Sequence, residues 1–484
     1  MFPYTREVKT TENRHELDLT RGPILKTLIS LSLPIMLSNF MQTLYNLTDM
    51  FWLGKLGESA RDAVAVVGMT FPLIFFFSSF GIGFAVAGTA LIARFKGGDE
   101  VPRIRRVVAH LVWIVGFFSL LFILMGTFFL EDILKVLSTP PEIMGLARQY
   151  ISVILMGLPF MYLVVFFQSI AHGLGDTIHP MKVQIISVMI NVVIDPLFIF
   201  GWGFFPAGGT LGAAYATFLA RFVGAFMALF YMVRVHRRHL PGKHEMLPEK
   251  RLMGQILKIS IPASLAQSMT SFGFLFLQGF VNSFGTVVIS IHSIGNRMTG
   301  FFMMPAMGIS NALTAMVGQN LGAGNTRRAI KSFHRATVLV MGIMGAGALI
   351  IFNFGAYLTR FFIDDPAVVD IGVRMFKITS VASFIFGAVF MFIGLFNGAG
   401  KTGAVFLFNV SRLWLFRIPF VYLLSGRISG PETGWMAALL DFLARPLASH
   451  PYDALWWSMI ISNFLAALWA FILYKKGSWK HVRF

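Results

Sequence analysis

The sequence predicts an all-α integral membrane protein of twelve transmembrane helices, built as two parallel six-helix repeats. Three observations carry this. Of the 484 residues, 56% are hydrophobic and 13% charged, with a mean hydropathy of +0.72, whereas soluble domains are about one-quarter charged. Apolar runs of about 20 residues, enough to cross a bilayer as helix, recur along the chain. Helix-breaking residues of the first half also return in the second at a nearly constant offset.

The runs fall near 24–54, 64–94, 104–129, 146–171, 178–203 and 210–233, and then near 253–283, 287–320, 333–359, 370–397, 402–425 and 452–474. A barrel would need alternating segments of about ten residues instead. Residues 1–23 are polar and of mixed charge, without an apolar h-region, and read as a tail. They precede a first lobe at 24–233, a basic linker at 234–252, a second lobe at 253–476 and a tail at 477–484. Between the last two runs, residues 427–451 include WMAALLDFLAR, either a short amphipathic surface helix or a long external loop.

The 40 basic residues outnumber the 22 acidic ones, giving a net charge of +18. The excess sits in alternate short loops: Arg94, Lys96, Arg103, Arg105 and Arg106 in one, Arg234, Arg237, Arg238, Lys243, Lys250 and Arg251 in the next, Arg327, Arg328, Lys331 and Arg335 in a third. By the positive-inside rule these loops and both termini are cytoplasmic, in a multi-pass protein of the plasma (inner) membrane. The charge therefore reflects topology and not a nucleic-acid partner. The chain has no cysteine, hence no disulfide, thiolate metal site or thiol nucleophile.

Pro34/Pro262 and Gly57/Gly285 are 228 positions apart, Gly68/Gly295 and Gly81/Gly308 are 227 apart, and GLGDT (Gly173, Gly175, Thr177) returns as GAGKT (Gly398, Gly400, Thr402) 225 on. Seven matches in one order indicate a duplicated unit. Six crossings return the chain to its starting side, so the repeats are parallel, and such folds bind substrate between the halves.

In the first run Ser38, Gln42, Tyr45 and Asp49 stand at i, i+4, i+7 and i+11, one stripe of a helix. A carboxylate at membrane depth costs roughly 2.5–3.5 kcal/mol on insertion scales and normally faces a cavity or a partner. The fifth run repeats the pattern with Gln184, Ser187 or Val188, Asn191 and Asp195. Pro196 follows and leaves the Val192 carbonyl without its donor. Carboxylate, amide oxygen and free carbonyl make an oxygen site for Na⁺ or a protonated state, and two carboxylates in one pocket would titrate as a pair. An interfacial acid for Asp49 and a structural acid beside a proline for Asp195 are the residue-level alternatives. In the second half Leu277 and Ile418 stand where Asp49 and Asp195 would be. Arg417, inside the eleventh run, has no obvious acidic partner and reads as structural.

LSLPIMLSNFMQTLYNLTDMFWLGKLG, the GLGDT loop, NVVIDPLFIFG and RIP at 417–419 resemble the multidrug and toxic compound extrusion (MATE) transporters, most closely their DinF-like branch, over nearly all of 24–476. The resemblance implies two six-helix lobes around a V-shaped cavity. It also implies exchange of H⁺ or Na⁺ for organic cations or related amphiphiles, by a monomer that needs no other cofactor. It assigns cation coupling, and Na⁺ ligation if sodium is the ion, to Asp49, Asn191 and Asp195. Thr217 in GAAYAT resembles a further cation ligand. Gln42, Tyr150 and Gln168 correspond to substrate-binding positions, and Pro34 to a bend that responds to protonation.

Other classes fit less well. A flippase for a lipid-linked precursor, on a related fold, would need a basic cavity. An enzyme would need DDxxD, HExxH, GxSxG or a histidine cluster, and an ATP-driven pump a Walker motif; none is present. The expected function is secondary active efflux by alternating access, with no enzymatic activity.

Overall fold

Backbone N–H and C=O groups cannot be left unbonded in hydrocarbon, so an apolar chain of this length folds into helices. The computed structural model describes residues 16–57, 60–136, 139–202, 206–426 and 450–481. The helices are α1 (Ile24–Leu53), α2 (Ala60–Gly97), α3 (Val101–Phe128), α4 (Leu130–Val136), α5 (Pro141–Met156), α6 (Leu158–Leu174), α7 (Ile178–Phe200) and α8 (Gly209–Arg234). They continue with α9 (Lys250–Asn282), α10 (Thr286–Gly322), α11 (Thr326–Phe362), α12 (Pro366–Gly398), α13 (Thr402–Val410), α14 (Ile418–Leu424) and α15 (Ala454–Lys475). No strand forms among the described residues. Ten spans are long and apolar enough to cross a membrane, α13 and α14 counting as one, and α5–α6 adds an eleventh. The 33-residue α9, whose serines and glutamines lower its hydropathy, completes the expected twelve. The WMAALLDFLAR segment lies outside the described residues.

Two spans depart from continuous α-helix. The fourth breaks at Gly157 into α5 and α6, bent by 41°, where Pro159 brings no N–H to the first turn of α6. The eleventh contains a π-helical stretch, Ser411–Arg417, ahead of Pro419. There the Ile418 N–H reaches back five residues to the Leu413 carbonyl. The short α4 had no counterpart in the hydropathy pattern.

The duplication extends to individual hydrogen bonds. At the end of α6, Gly175 is left-handed (φ 89°), its N–H bonds to the His172 carbonyl (3.0 Å), and the Asp176 N–H bonds to Ala171 (2.8 Å). At the end of α12, Gly400 (φ 70°) bonds to Asn397 (2.9 Å) and Lys401 to Phe396 (2.7 Å). These are the paired bonds of a Schellman turn. The Thr89 hydroxyl donates to the Ser169 carbonyl (3.1 Å), and Thr314, 225 residues on, donates to Gly394 (3.2 Å).

The helices sort into two compact units. Unit 1 comprises the chain to Thr70, Gly88–Met253 and Gly318–Asn325; unit 2 comprises Phe71–Ala87, Gly254–Val317 and the chain from Thr326. In unit 1 the segment before α1 is docked. The Leu17 N–H donates to the Gly175 carbonyl (3.3 Å), Asn320 Nδ2 donates to the Leu19 carbonyl (3.0 Å), and Leu19 is fully buried. Lys96 Nζ donates to Glu16 Oε2 (2.5 Å), while Glu16 Oε1 lies 3.3 Å from His236 Nδ1. Asp176 Oδ2 lies 3.1 Å from His236 Nε2 and 2.7 Å from His179 Nδ1. Burial pushes the Glu16 carboxyl up, but His236 and Lys96 outweigh it and bring it to about 2. Burial likewise works against the Asp176 charge, and the bonds from His179 and His236 overcome it, holding that carboxyl well below the usual range. For His236 burial disfavours the charge, and Asp176 and Glu16 reverse this, raising it.

A Cβ at Gly175 would lie 2.6 Å from the Leu17 carbonyl oxygen, whereas a Cβ at the left-handed Gly57 (φ 63°) meets nothing within 4 Å. Gly57→Ala should cost about 1–2 kcal/mol from the left-handed backbone alone. Gly175→Ala should cost more and melt lower in detergent; equal melting of the two variants would show that the docked segment contributes nothing there.

Candidate functional site

The intramembrane acids converge in unit 1, where α7 packs against both α1 and α8, and α5 against α8. Asn191 and Asp195 on α7 are fully buried, Asp49 on α1 is half-buried, and Thr217 on α8 is buried. Asn191 Nδ2 donates to Asp195 Oδ1 at 2.9 Å, the i to i+4 spacing placing both on one face. The Asp49 carboxyl lies within hydrogen-bonding reach of both the Asp195 carboxyl and the Asn191 amide. Asp49 Oδ1, Asp195 Oδ2 and Asn191 Oδ1 are buried oxygens that no hydrogen-bond donor reaches. Three acceptors thus share one pocket, and two of them belong to carboxyls that repel each other when both are charged. Such an arrangement calls for a proton or a cation between them.

Around them stand the buried Tyr45 of α1, with its hydroxyl beside Thr217, and the buried Tyr150 of α5 within electrostatic reach of both acids. Tyr150 therefore sits with the acids and not with the two glutamines. Those form a separate relay: Gln184 Nε2 donates to Gln42 Oε1 (3.0 Å), and Gln168 Nε2 reaches Gln184 Oε1 at 3.5 Å. The relay links α1, α7 and α6. Ser187 leaves the α7 stripe and donates to the Ala220 carbonyl on α8 (2.8 Å), so the buried Val188 continues it. Pro34 lies inside α1, and its carbonyl accepts from Ser38 Oγ at 2.9 Å.

Arg221 is the charged neighbour of the acids that the motifs do not name. It lies four residues after Thr217 on α8, in the field of Asp49, Tyr45 and Tyr150, and its Nη1 is buried without a hydrogen-bond partner. The available signal is a lone arginine in the apolar run 210–233, which is as unusual at membrane depth as an acid.

Unit 2 holds no such site at the equivalent positions. Leu277 is buried in a cluster with Phe280, Val281 and Leu413, and Ile418 packs against it. Arg417 is buried over the Phe274 ring (5.7 Å). The buried Arg412 stacks over Phe386 (4.3 Å) and donates to Asn463 Oδ1 (3.3 Å). Unit 2 also contains a cavity of about 490 Å³ lined by Phe75, Phe76, Gln267, Ser271, Phe274 and Gln278.

The duplicated helical fold agrees with the comparisons to known proteins. The model of the MatE family matches residues 34–197 and 262–423, one match in each half, and the chain belongs to that family of transporters. Among curated relatives, the probable multidrug resistance protein YpnP of Bacillus subtilis is 28% identical over 467 residues, covering 96% of this chain and 98% of the relative. The probable multidrug resistance protein NorM of Thermotoga maritima is 28% identical over 425 residues, covering 87% and 90%. A solved structure of MATE in the bent conformation superposes with a TM-score of 0.84 at 22% identity, covering 97% of each chain, and shares the fold.

Asp195→Ala would leave the Asn191 amide without its acceptor and should destabilise by about 1–3 kcal/mol. Asp195→Asn keeps a side-chain oxygen in place and should melt near the wild type. Thermal unfolding in detergent compares the two; an Ala variant as stable as the Asn variant would remove Asn191–Asp195 from the account.

Proposed function

We propose that the chain is a secondary active multidrug efflux antiporter, coupled to a cation bound by Asp49, Asn191 and Asp195, that works by alternating access. The observation that carries this is the pair of carboxyls at hydrogen-bonding reach, buried with acceptor oxygens that nothing among the described residues satisfies. Arg221 balances one of the two negative charges, which leaves room for a single monovalent cation. A separation spanned by one hydrogen bond suits a shared proton better than a Na⁺ ion with several ligands, so H⁺ is the favoured ion. Thr217 and Tyr45 complete the polar wall. Loading from the outside neutralises the pocket and changes the bend of α1 at Pro34, and the resulting shift weakens substrate binding. Coupling requires that ion and substrate differ in affinity for the two states of the carrier.

The substrates are organic cations and other amphiphilic compounds, in keeping with the named roles of the curated relatives. The apolar, phenylalanine-lined cavity of about 490 Å³ has the size of a small-molecule pocket, and the relay of Gln42, Gln184 and Gln168 offers further polar contacts. The protein acts as a monomer in the plasma (inner) membrane with both termini in the cytoplasm. A second reading, export of an anionic lipid-linked precursor, has one observation in its favour. Arg412 and Arg417 are buried in unit 2 with no carboxylate in salt-bridge range among the described residues.

In proteoliposomes without ATP, an imposed proton gradient should drive ethidium efflux, a sodium gradient should not, and Asp49→Asn or Asp195→Asn should reduce efflux to background with folding retained. Full efflux by either variant would sink the assignment, and efflux driven by sodium alone would replace H⁺ with Na⁺ at the same residues.

A further inference from the structure

Outside the acid pocket, a glutamate and two histidines converge where the segment before α1 meets the chain after α8. Glu16 Oε1 is 3.3 Å from His236 Nδ1 and 3.7 Å from His239 Nδ1, and one ligand atom from each of the three residues lies within 4.8 Å of the other two. Zinc–ligand bonds of about 2.0–2.2 Å place neighbouring atoms of a tetrahedral shell roughly 3.3–3.5 Å apart. The Glu16–His236 separation equals that of such a shell, and the Glu16–His239 separation exceeds it by a few tenths of an ångström, a shift that side-chain rotation can close. The three side chains are nine-tenths buried or more. Among the described residues His239 Nδ1 has no hydrogen-bond partner, an unmet polar atom 3.7 Å from the Glu16 carboxylate.

The surroundings are those of a metal ligand set. A ligating histidine usually gives its second ring nitrogen to a carboxylate, which fixes the ring. Here His236 Nε2 lies 3.1 Å from Asp176 Oδ2, and Asp176 is itself fixed by His179 Nδ1 and by the backbone N–H groups of Ile178 and His179. Lys96 occupies the other oxygen of Glu16, leaving Oε1 to the histidines.

We propose that Glu16, His236 and His239 form a binding site for one divalent transition metal, Zn²⁺ by its ligand set, with Asp176 as the positioning residue of His236. Two imidazoles and a carboxylate suit zinc and its neighbours and not magnesium or calcium. All three ligands fall outside the stretches matched by the MatE model. A bound ion ties the segment before α1 to the chain after α8, across the loop that carries Asp176.

The test uses the whole protein in detergent, freed of any affinity tag and stripped by chelator, then titrated with Zn²⁺ and separately with Co²⁺. One equivalent should bind, and Co²⁺ should give the visible absorption of a four-coordinate site. His239→Gln is the informative variant, because no hydrogen bond depends on its Nδ1. It should keep the wild-type elution and melting of the metal-free protein and lose binding by about 100-fold or more, and Asp176→Asn should weaken binding by about 10–100-fold. Absence of stoichiometric binding, or equal binding by His239→Gln, overturns the proposal. A melting temperature that responds to pH but not to metal also overturns it and identifies the cluster as an ion-paired latch.

Discussion

Charge is expensive where water is absent, and the polar interior of unit 1 follows from that constraint. Asp49 and Asp195 face one another across α1 and α7, so neither can supply the other's compensation. Asn191 lends one donor, Arg221 one positive charge, and Tyr45 and Thr217 a polar border. On the proposed function, that set falls one monovalent cation short of neutrality, and a buried network left incomplete costs the fold stability until the ion binds.

The two halves separate the contribution of the backbone from that of side-chain chemistry. Turns at the ends of α6 and α12 repeat the same left-handed glycine and the same pair of bonds. Thr89 and Thr314 make matching contacts to neighbouring helices. Yet the counterparts of the acids are Leu277 and Ile418, packed among phenylalanine and valine. The duplicated scaffold therefore accepts either a polar or a hydrocarbon filling at the same place. The residues that set the fold and the acids proposed to bind the ion are different ones.

That separation also governs what could be read without coordinates. Helix number and duplication were legible because spanning runs and glycine turns are local signals, Asp49 and Asp195 because acids are rare in apolar runs, and Asn191 by its helical spacing from Asp195. The break at Gly157 and the π-helical stretch before Pro419 depend on how each helix adjusts locally around proline, which hydropathy does not register. Other features were hidden because they join distant parts of the chain. Glu16 meets His236 across 220 positions and Gln42 meets Gln184 across 142. Tyr150 reached its true neighbours, the acids, only once α5 was set against α8. Arg221 was hidden for another reason: a single arginine in a chain with 40 basic residues draws no notice until its surroundings are seen.

The bend between α5 and α6 brings chain geometry and charge to one point. A Cβ at Gly157 would rest 3.6 Å from both Cδ and Nη1 of Arg221, with the Ile154 carbonyl at 3.2 Å behind it. Even one methyl group crowds the Ile154 carbonyl, and any larger side chain must also push the guanidinium aside. The volume at this uncharged position therefore bears on where the Arg221 guanidinium sits. If Asp49 binds the coupling ion as proposed, a substitution at residue 157 alone would alter its affinity, with every charged residue left as it is.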